Sequence, residues 1–213
     1  QPGKSLRLLL SAHPEESRLH LTRQVKPNPS SPPLFCMVLR KHLEGGKIAA
    51  LEQPGLERVL RIRVDSTSEL GDPVRRTLVC EIMGRHSNII LLDEASGQII
   101  DGIRRYSHEV SRHREVLPDR PYVAPPDQGK VDLLGMDGRG EELTRILLDR
   151  PWQGPVWRSL FEKIEGLSPL LARELVCRSG LTLQTSIEEC GAYEFDRLNQ
   201  AVRWLQGTVL AGG

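Results

Sequence analysis

Five consecutive residues interrupt two apolar runs in the first half of the chain: Gly84, Arg85, His86, Ser87 and Asn88. Every side chain among them beyond the glycine can donate a hydrogen bond, and the arginine is permanently cationic. Such a set at a strand end suits phosphate or ribose hydroxyl groups. A structural hairpin turn is the alternative, because Gly84 and Asn88 tolerate unusual backbone angles. Spacing alone favours the structural interpretation.

A second candidate for phosphate binding is the turn formed by Gly166, Leu167 and Ser168 between two predicted helices. A tight turn followed by a helix that begins with proline resembles a helix-hairpin-helix motif. That motif presents unpaired backbone N–H groups to phosphate. A plain pair of antiparallel helices is an equally weighted alternative, and the acidic balance of this half favours it.

No pattern in the sequence requires an enzyme. His108 and His113 are five residues apart, which puts them on different faces of a helix and misses the HExxH zinc spacing. The motifs of a nucleophile elbow, a phosphate loop and a dinucleotide site are also missing. We therefore expect no catalytic residue, metal site or cofactor.

The cysteines and the apolar runs predict a soluble cytoplasmic protein. Four cysteines lie far apart without a CxxC pair: Cys36, Cys80, Cys177 and Cys190. This spacing argues against zinc and indicates reduced thiols that serve as small core residues. The longest apolar run, from Leu34 to Leu39, is too short to span a bilayer, and no signal peptide is visible. No membrane partner is expected.

Charge is distributed unevenly, although the net charge is only +1. Residues 1–63 contain eleven Lys and Arg against five Glu, a net +6, so the remainder carries −5. An anionic partner would therefore meet the first part of the chain. A merely solvated surface is the alternative that charge alone leaves open.

The elements that must position these residues follow from the spacing of apolar side chains. Alternating runs predict strands over residues 6–12, 18–24, 57–65, 76–83, 88–93 and 98–106. A helix is predicted over 31–44, with Ser31 as its cap and Gly45-Gly46 at its end. Its buried face is marked by Phe35, Leu39 and Leu43. We expect a twisted antiparallel sheet with this helix packed on one face.

In the second half of the chain, apolar residues recur with a different spacing. The proline-rich stretch 118–130 indicates an extended linker. Beyond it, apolar residues recur every three or four positions and predict helices over 139–149, 155–165, 168–179 and 191–209. The predicted architecture is therefore an α+β domain over 1–127, followed by a small all-α domain over 128–213.

Five stretches of the sequence carry a family resemblance: GRHSNIILLD, LLLSAHPEESRLHLT, PPLFCMVLRKHLEGGKI, EQPGLERVL and IIDGIRR. Together they resemble the N-terminal domain of the NFACT family, whose bacterial members are called RqcH or, in older naming, fibronectin-binding protein A. The match runs from about residue 6 to residue 127, and the helical half resembles the helix-hairpin-helix region of the family. The resemblance implies a sheet fold similar to the N-terminal domain of formamidopyrimidine-DNA glycosylase.

The resemblance implies a ribosome quality-control factor without enzymatic chemistry of its own. Such a protein binds a large ribosomal subunit that still holds peptidyl-tRNA and recruits alanyl-tRNA, so that alanines are added to the stalled chain. It also implies tRNA contacts from Glu57 and Arg58, which occupy the positions of the family's Asp-Arg pair. The other candidate RNA contacts are Arg40, Lys41, Arg85, His86, Ser87 and Asn88.

Strand alternation raises a question about Arg58, because it would lie on the apolar side with Leu60. An unpaired guanidinium is costly there. Either the strand begins after Arg58, or a carboxylate holds the side chain at the end of the sheet. Glu57 and Asp101 are the candidate carboxylates.

Two functions from other classes stay open. The older name suggests a surface adhesin that binds fibronectin, which the unpaired cysteines and the lack of a visible signal peptide disfavour. Glycosylase chemistry would need a free N-terminal proline, whereas Pro2 follows Gln1. The resemblance also implies that the full-length protein has a further strand–helix segment before this region, and a coiled coil and a C-terminal domain after it.

Overall fold

The computed structural model describes residue 3 and residues 5–136, 140–149 and 154–211. The chain forms two compact units. The sheet unit comprises Gln1–Pro54 and Arg58–Pro126, and the helical unit comprises Gly55–Glu57 and Asp127–Gly213. The predicted α+β class is confirmed. Pro2, which glycosylase chemistry would require, lies outside the described residues.

The sheet unit contains a β-hairpin and a five-stranded antiparallel sheet. The hairpin pairs β1 (Arg7–Ser11) with β2 (Arg18–Thr22). The sheet has the order β3-β4-β5-β6-β7, with β3 (Lys47–Glu52), β4 (Val59–Thr67), β5 (Pro73–Glu81), β6 (Asn88–Asp93) and β7 (Ile99–Gly102). The sequence missed β3, and the strand predicted over 98–106 leaves the sheet after Gly102.

One face of the sheet packs against helix α1 (Leu34–Leu43). Phe35, Leu39 and Leu43 point into this core, as their spacing predicted. The predicted cap at Ser31 is wrong, because Pro33 occupies the N-cap position and no side chain caps the helix. Gly45 follows the helix with a φ of 76°, a backbone conformation that suits glycine at a helix end.

The opposite face of the sheet is covered by the chain that follows β7. Its core contains Val59, Val79, Ile90, Leu92, Ile99 and Val116. Asp119 N–H donates to the carbonyl oxygen of Ile99 at 2.8 Å, and Ile99 N–H donates to that of Arg120 at 2.8 Å. The first residues of the predicted linker are therefore part of the sheet unit.

The described part of the helical unit contains four helices, α2 (Gly140–Leu148), α3 (Val156–Lys163), α4 (Pro169–Arg178) and α5 (Ala192–Leu210), and a short parallel pairing of β8 (Val131–Asp132) with β9 (Ile164–Glu165). Arg139, the predicted start of the first helix, lies outside the described residues. The core is apolar and includes Leu143, Leu147, Leu160, Leu175 and Leu198. None of the described helices is both long and apolar enough to cross a membrane.

All four cysteines are free thiols, but they differ in burial. Cys80 is buried in the sheet, whereas Cys177 is exposed on α4. The prediction that the cysteines are core residues is therefore wrong for Cys177. Within the described ranges, no group of three or more His, Cys, Asp or Glu side chains is placed to hold a metal ion.

Candidate nucleic-acid interface

Arg58 and the turn after β5 lie at the same end of the sheet, here called the basic end. The register pairs Val59 of β4 with Glu81 of β5, and Glu81 with Asn88 of β6. Next to the Val59–Glu81 pair, Ile82 N–H donates to the carbonyl oxygen of Arg58 at 2.8 Å. The sheet thus brings together residues that lie about 30 positions apart along the chain.

The turn itself is held by two buried polar side chains, Ser87 and Asn88, each 1% exposed. Met83 N–H donates to Ser87 Oγ at 2.8 Å, and Ile89 N–H donates to Asn88 Oδ1 at 2.9 Å. Gly84 has a φ of 57°, which a side chain would strain. The hydrogen-bonding groups of Ser87 and Asn88 therefore serve the fold, and the expected RNA contact of these two residues stays a prediction.

Arg104 fastens this turn to two other segments. Its Nη1 donates to the carbonyl oxygen of Arg85 at 2.9 Å, and its Nη2 donates to that of Ala12 at 2.8 Å. Asn88 Nδ2 donates to the carbonyl oxygen of Arg104 at 3.0 Å, while Arg104 N–H donates to Asn88 Oδ1 at 3.1 Å. The sequence did not identify Arg104 as a site residue, because no local pattern links it to Ala12.

Arg85 and His86 are the members of the turn that face solvent. Arg85 Nε donates to His86 Nε2 at 3.0 Å. This contact makes Nε2 the acceptor nitrogen, so that a neutral His86 carries its proton on Nδ1. The rest of the guanidinium and the imidazole N–H are donors suited to phosphate oxygens.

Arg58 is exposed at the basic end, and β4 begins one residue after it. The first of the two alternatives for this arginine is therefore the one that the structure shows. Asp101 does not hold it, because both carboxylate oxygens of Asp101 accept from Arg105, at 2.7 and 2.8 Å. Glu57 belongs to the helical unit, whereas Arg58 belongs to the sheet unit.

A buried ion pair lies directly beneath the basic end. Glu81 is 0% exposed and accepts from both Nη atoms of Arg114, at 2.6 and 2.5 Å. Tyr122 Oη also donates to Glu81, at 2.9 Å, and Arg114 Nη1 donates to the carbonyl oxygen of Val123 at 2.9 Å. Burial, followed by the charge of Glu81, raises the pKa of Tyr122. The carboxylate is thus fully satisfied inside the fold.

Arg40 and Lys41 lie at the other end of the sheet. Lys41 pairs with Glu69 at 2.9 Å, in the connection between β4 and β5. The length of β4 separates this connection from Arg58 by roughly 25 Å. The structure therefore does not bring Arg40 and Lys41 together with Arg58 and Arg85.

The turn of the helical unit is well formed but lies among carboxylates. Gly166 has a φ of 83°, and Ser168 Oγ accepts from the N–H of Leu171 at 3.1 Å, which caps α4. Leu167 is buried in the helical core. Burial, followed by the charges of Glu57, Asp132 and Asp127, raises the pKa of Glu165, which precedes Gly166. This negative surrounding opposes the binding of phosphate.

Comparison with known proteins places these features in a family. The sequence matches the family model of NFACT N-terminal and middle domains over residues 1–210. A protein named Rqc2 homolog RqcH, from Bacillus subtilis (strain 168), is 44% identical over 185 residues, which cover 87% of this chain and 32% of that protein. The chain spans about a third of the length of the curated relatives that it matches.

Two solved structures are similar over nearly the whole chain. The N-terminal part of the fibronectin/fibrinogen-binding protein from Streptococcus suis has a TM-score of 0.77 at 31% identity, covering 97% of this chain and 70% of the other. The fibrinogen binding protein from Staphylococcus aureus has a TM-score of 0.77 at 34% identity, covering 98% of this chain and 68% of the other.

Proposed function

Because this chain belongs to the NFACT family, we propose that it is the tRNA- and large-subunit-binding part of a ribosome quality-control factor. In this role it recruits alanyl-tRNA to a large ribosomal subunit that still carries peptidyl-tRNA, so that alanines are added to the stalled chain. We assign this chain no catalytic step of its own, since the proposed chemistry is the recognition of RNA by positive and hydrogen-bonding side chains.

The basic end of the sheet is the observation that carries this proposal. Arg58, Arg85 and His86 are exposed there. Ser87, Asn88 and Arg104 hold the backbone of the turn that carries Arg85 and His86, and the carbonyl oxygen of Arg58 accepts from Ile82 N–H. Arginine presents a planar fork of donors that matches phosphate oxygens or the edge of a base. A fixed backbone lowers the conformational entropy that binding removes, so these side chains are well placed for RNA.

The test is tRNA binding by Arg58→Lys in the full-length protein, with alanyl-tRNA as the ligand. Lysine keeps the charge and loses the fork, so we expect weaker binding at a nearly unchanged melting temperature. Arg75→Lys is the matched control, because Arg75 is also an exposed arginine of the sheet but pairs with Asp65 near the opposite end. Unchanged binding by Arg58→Lys would argue against the proposal.

Adhesion is the second candidate function, and the names of the two similar structures favour it, since they describe fibronectin or fibrinogen binding. The two functions place the full-length protein in different cell fractions. We expect it to sediment with large ribosomal subunits after cell lysis. Recovery at the cell surface, without sedimentation with subunits, would support the adhesin.

A further inference from the structure

The chain between Tyr106 and Val116 forms an exposed loop with closed ends. Tyr106 N–H donates to the carbonyl oxygen of Val116 at 3.1 Å, and Val116 N–H donates to that of Tyr106 at 2.8 Å. Between them, residues 107–113, here called the 107–113 loop, extend into solvent, and Val110 is 79% exposed. These two hydrogen bonds fix the position at which the loop leaves the sheet unit.

The base of the loop is anchored by the buried Glu81–Arg114 pair. Arg114 directly follows the loop, and its side chain is only 7% exposed. Glu81 is the last residue of β5, three positions before Gly84. The same pair therefore fixes both the loop and the strand from which the turn at the basic end departs.

The other end of the loop is also tied to the basic end. Arg104 lies three positions before the loop and donates to the carbonyl oxygen of Arg85. Both ends of the 107–113 loop thus start from residues that contact the turn or its supporting strand. Loops that a rigid scaffold positions in this way commonly carry binding residues.

The loop carries three exposed side chains with hydrogen-bond donors, one of them the permanently charged Arg112. His108, Arg112 and His113 are exposed, and none of them has an ion pair or hydrogen bond to the side chain of another described residue. The backbone of the loop satisfies part of its own hydrogen bonding, because Val110 N–H and Ser111 N–H donate to the carbonyl oxygen of Ser107 at 3.0 and 3.1 Å. The guanidinium of Arg112 and the imidazole N–H groups of His108 and His113 are therefore available to an external anion.

We infer that the 107–113 loop is a second RNA contact, in which Arg112, with His108 and His113, binds the phosphate backbone next to the nucleotides held at the basic end. This inference rests on the proposed function. A merely solvated loop has the same exposure, but its charges would not affect the affinity for RNA. An RNA contact and a solvated loop can therefore be distinguished by the effect of charge substitutions in the loop on the affinity for RNA.

The experiment compares Arg112→Gln with Glu109→Gln, two neutralising substitutions of opposite sign on the same loop. Binding of an alanine-tRNA transcript is measured as a function of salt, and melting temperatures check the fold. Arg112→Gln should weaken binding severalfold and lower the slope of log affinity against log salt by about 1. Glu109→Gln should strengthen binding, because it removes a negative charge beside the same phosphates.

A parallel measurement on Arg85→Gln separates this inference from the proposed function. If Arg85→Gln weakens binding while both loop variants leave it unchanged, the loop is no RNA contact and the proposed function stands. If Arg112→Gln and Glu109→Gln change the affinity in the same direction, the effect arises from loop conformation and the inference is overturned. If Arg85→Gln also leaves the affinity unchanged, the RNA-binding function of the basic end fails as well.

Discussion

Glu81 supports both the base of the 107–113 loop and the strand that leads to the turn at the basic end. Replacing it by glutamine leaves the Arg114 guanidinium buried without a counter-charge, and breaking a buried pair in this way costs about 3–5 kcal/mol. We expect Glu81→Gln to lower the free energy of unfolding by this order in urea denaturation. The double variant Glu81→Leu with Arg114→Met should recover part of the loss. A loss equal to that of the exposed control Glu109→Gln would contradict this role.

Ser87 and Arg85 lie two positions apart in the turn, and we expect substitutions at them to have different effects. Ser87→Ala removes the acceptor of the Met83 N–H, so we expect a loss of about 1–3 kcal/mol in the free energy of unfolding. Arg85→Gln should leave that free energy within about 0.5 kcal/mol of the wild type and weaken tRNA binding instead. Thermal denaturation and tRNA titration of both variants check the assignment, and equal stability losses would refute it.

At the scale of elements, the turn between α3 and α4 is best probed at Glu165. Burial and the charges of Glu57, Asp132 and Asp127 raise the pKa of Glu165 above that of the unfolded chain. The fold therefore favours the protonated form, and this contribution to stability is present at low pH and lost as the pH rises through the folded pKa. Glu165→Gln should raise the melting temperature slightly at neutral pH.

The same variant distinguishes the two interpretations of this turn. If the turn binds phosphate, removing a neighbouring negative charge strengthens tRNA binding; if the turn is structural, only stability changes. Glu174→Gln on α4 is the control, because Glu174 is exposed and pairs with Arg178 at 3.3 Å. Gly166 is a poor probe, since an added Cβ would lie 2.4 Å from Leu56 Cδ1 and the φ of 83° would be strained.

The reactivity of the buried thiol of Cys80 reports on the packing of strand β5. Burial, and secondarily Glu81, raises the pKa of Cys80 to about 12, so the reactive thiolate is suppressed. We expect a disulfide reagent to modify the exposed Cys177 quickly and Cys80 only when the sheet unfolds. The stabilisation linked to this thiol is present below about pH 9, its unfolded pKa, and is lost as the pH rises above it. Rapid labelling of Cys80 in the folded protein would contradict the burial.

The spacing of apolar residues predicted correctly those strands and helices that have one buried face and one exposed face. In β4, Ile62 and Val64 alternate with arginines, and they are buried as expected. Strand β3 was missed because Ile48 and Leu51 are exposed at the edge of the sheet, so its pattern lacks alternation. The contacts that hold the candidate site together could be predicted from the sequence only in part. Glu81 and Arg114 are 33 residues apart in sequence, and no local spacing encodes such a contact.

At the scale of the whole molecule, the excess positive charge of residues 1–63 includes Arg58 at the basic end, Lys41 at the other end of the sheet, and Arg7 and Arg18 in the hairpin. We expect tRNA binding by this chain to weaken steeply with salt, because each neutralised phosphate releases condensed counterions. The Arg40→Gln variant should retain most of the affinity, since Arg40 lies on α1, away from the basic end. Titrations from low to physiological ionic strength check this, and an affinity that is indifferent to salt would contradict an RNA partner.

The bond between Arg104 and the carbonyl oxygen of Ala12 joins residues 92 positions apart. Closing so long a segment costs more chain entropy than pairing neighbouring strands, so we expect this contact to form late in folding. During its own synthesis, the protein must expose Arg104 beyond the exit tunnel before the turn at the basic end can be locked. In a nascent chain, Arg85 therefore lies on a turn that is not fixed until the segment with Arg104 has left the tunnel.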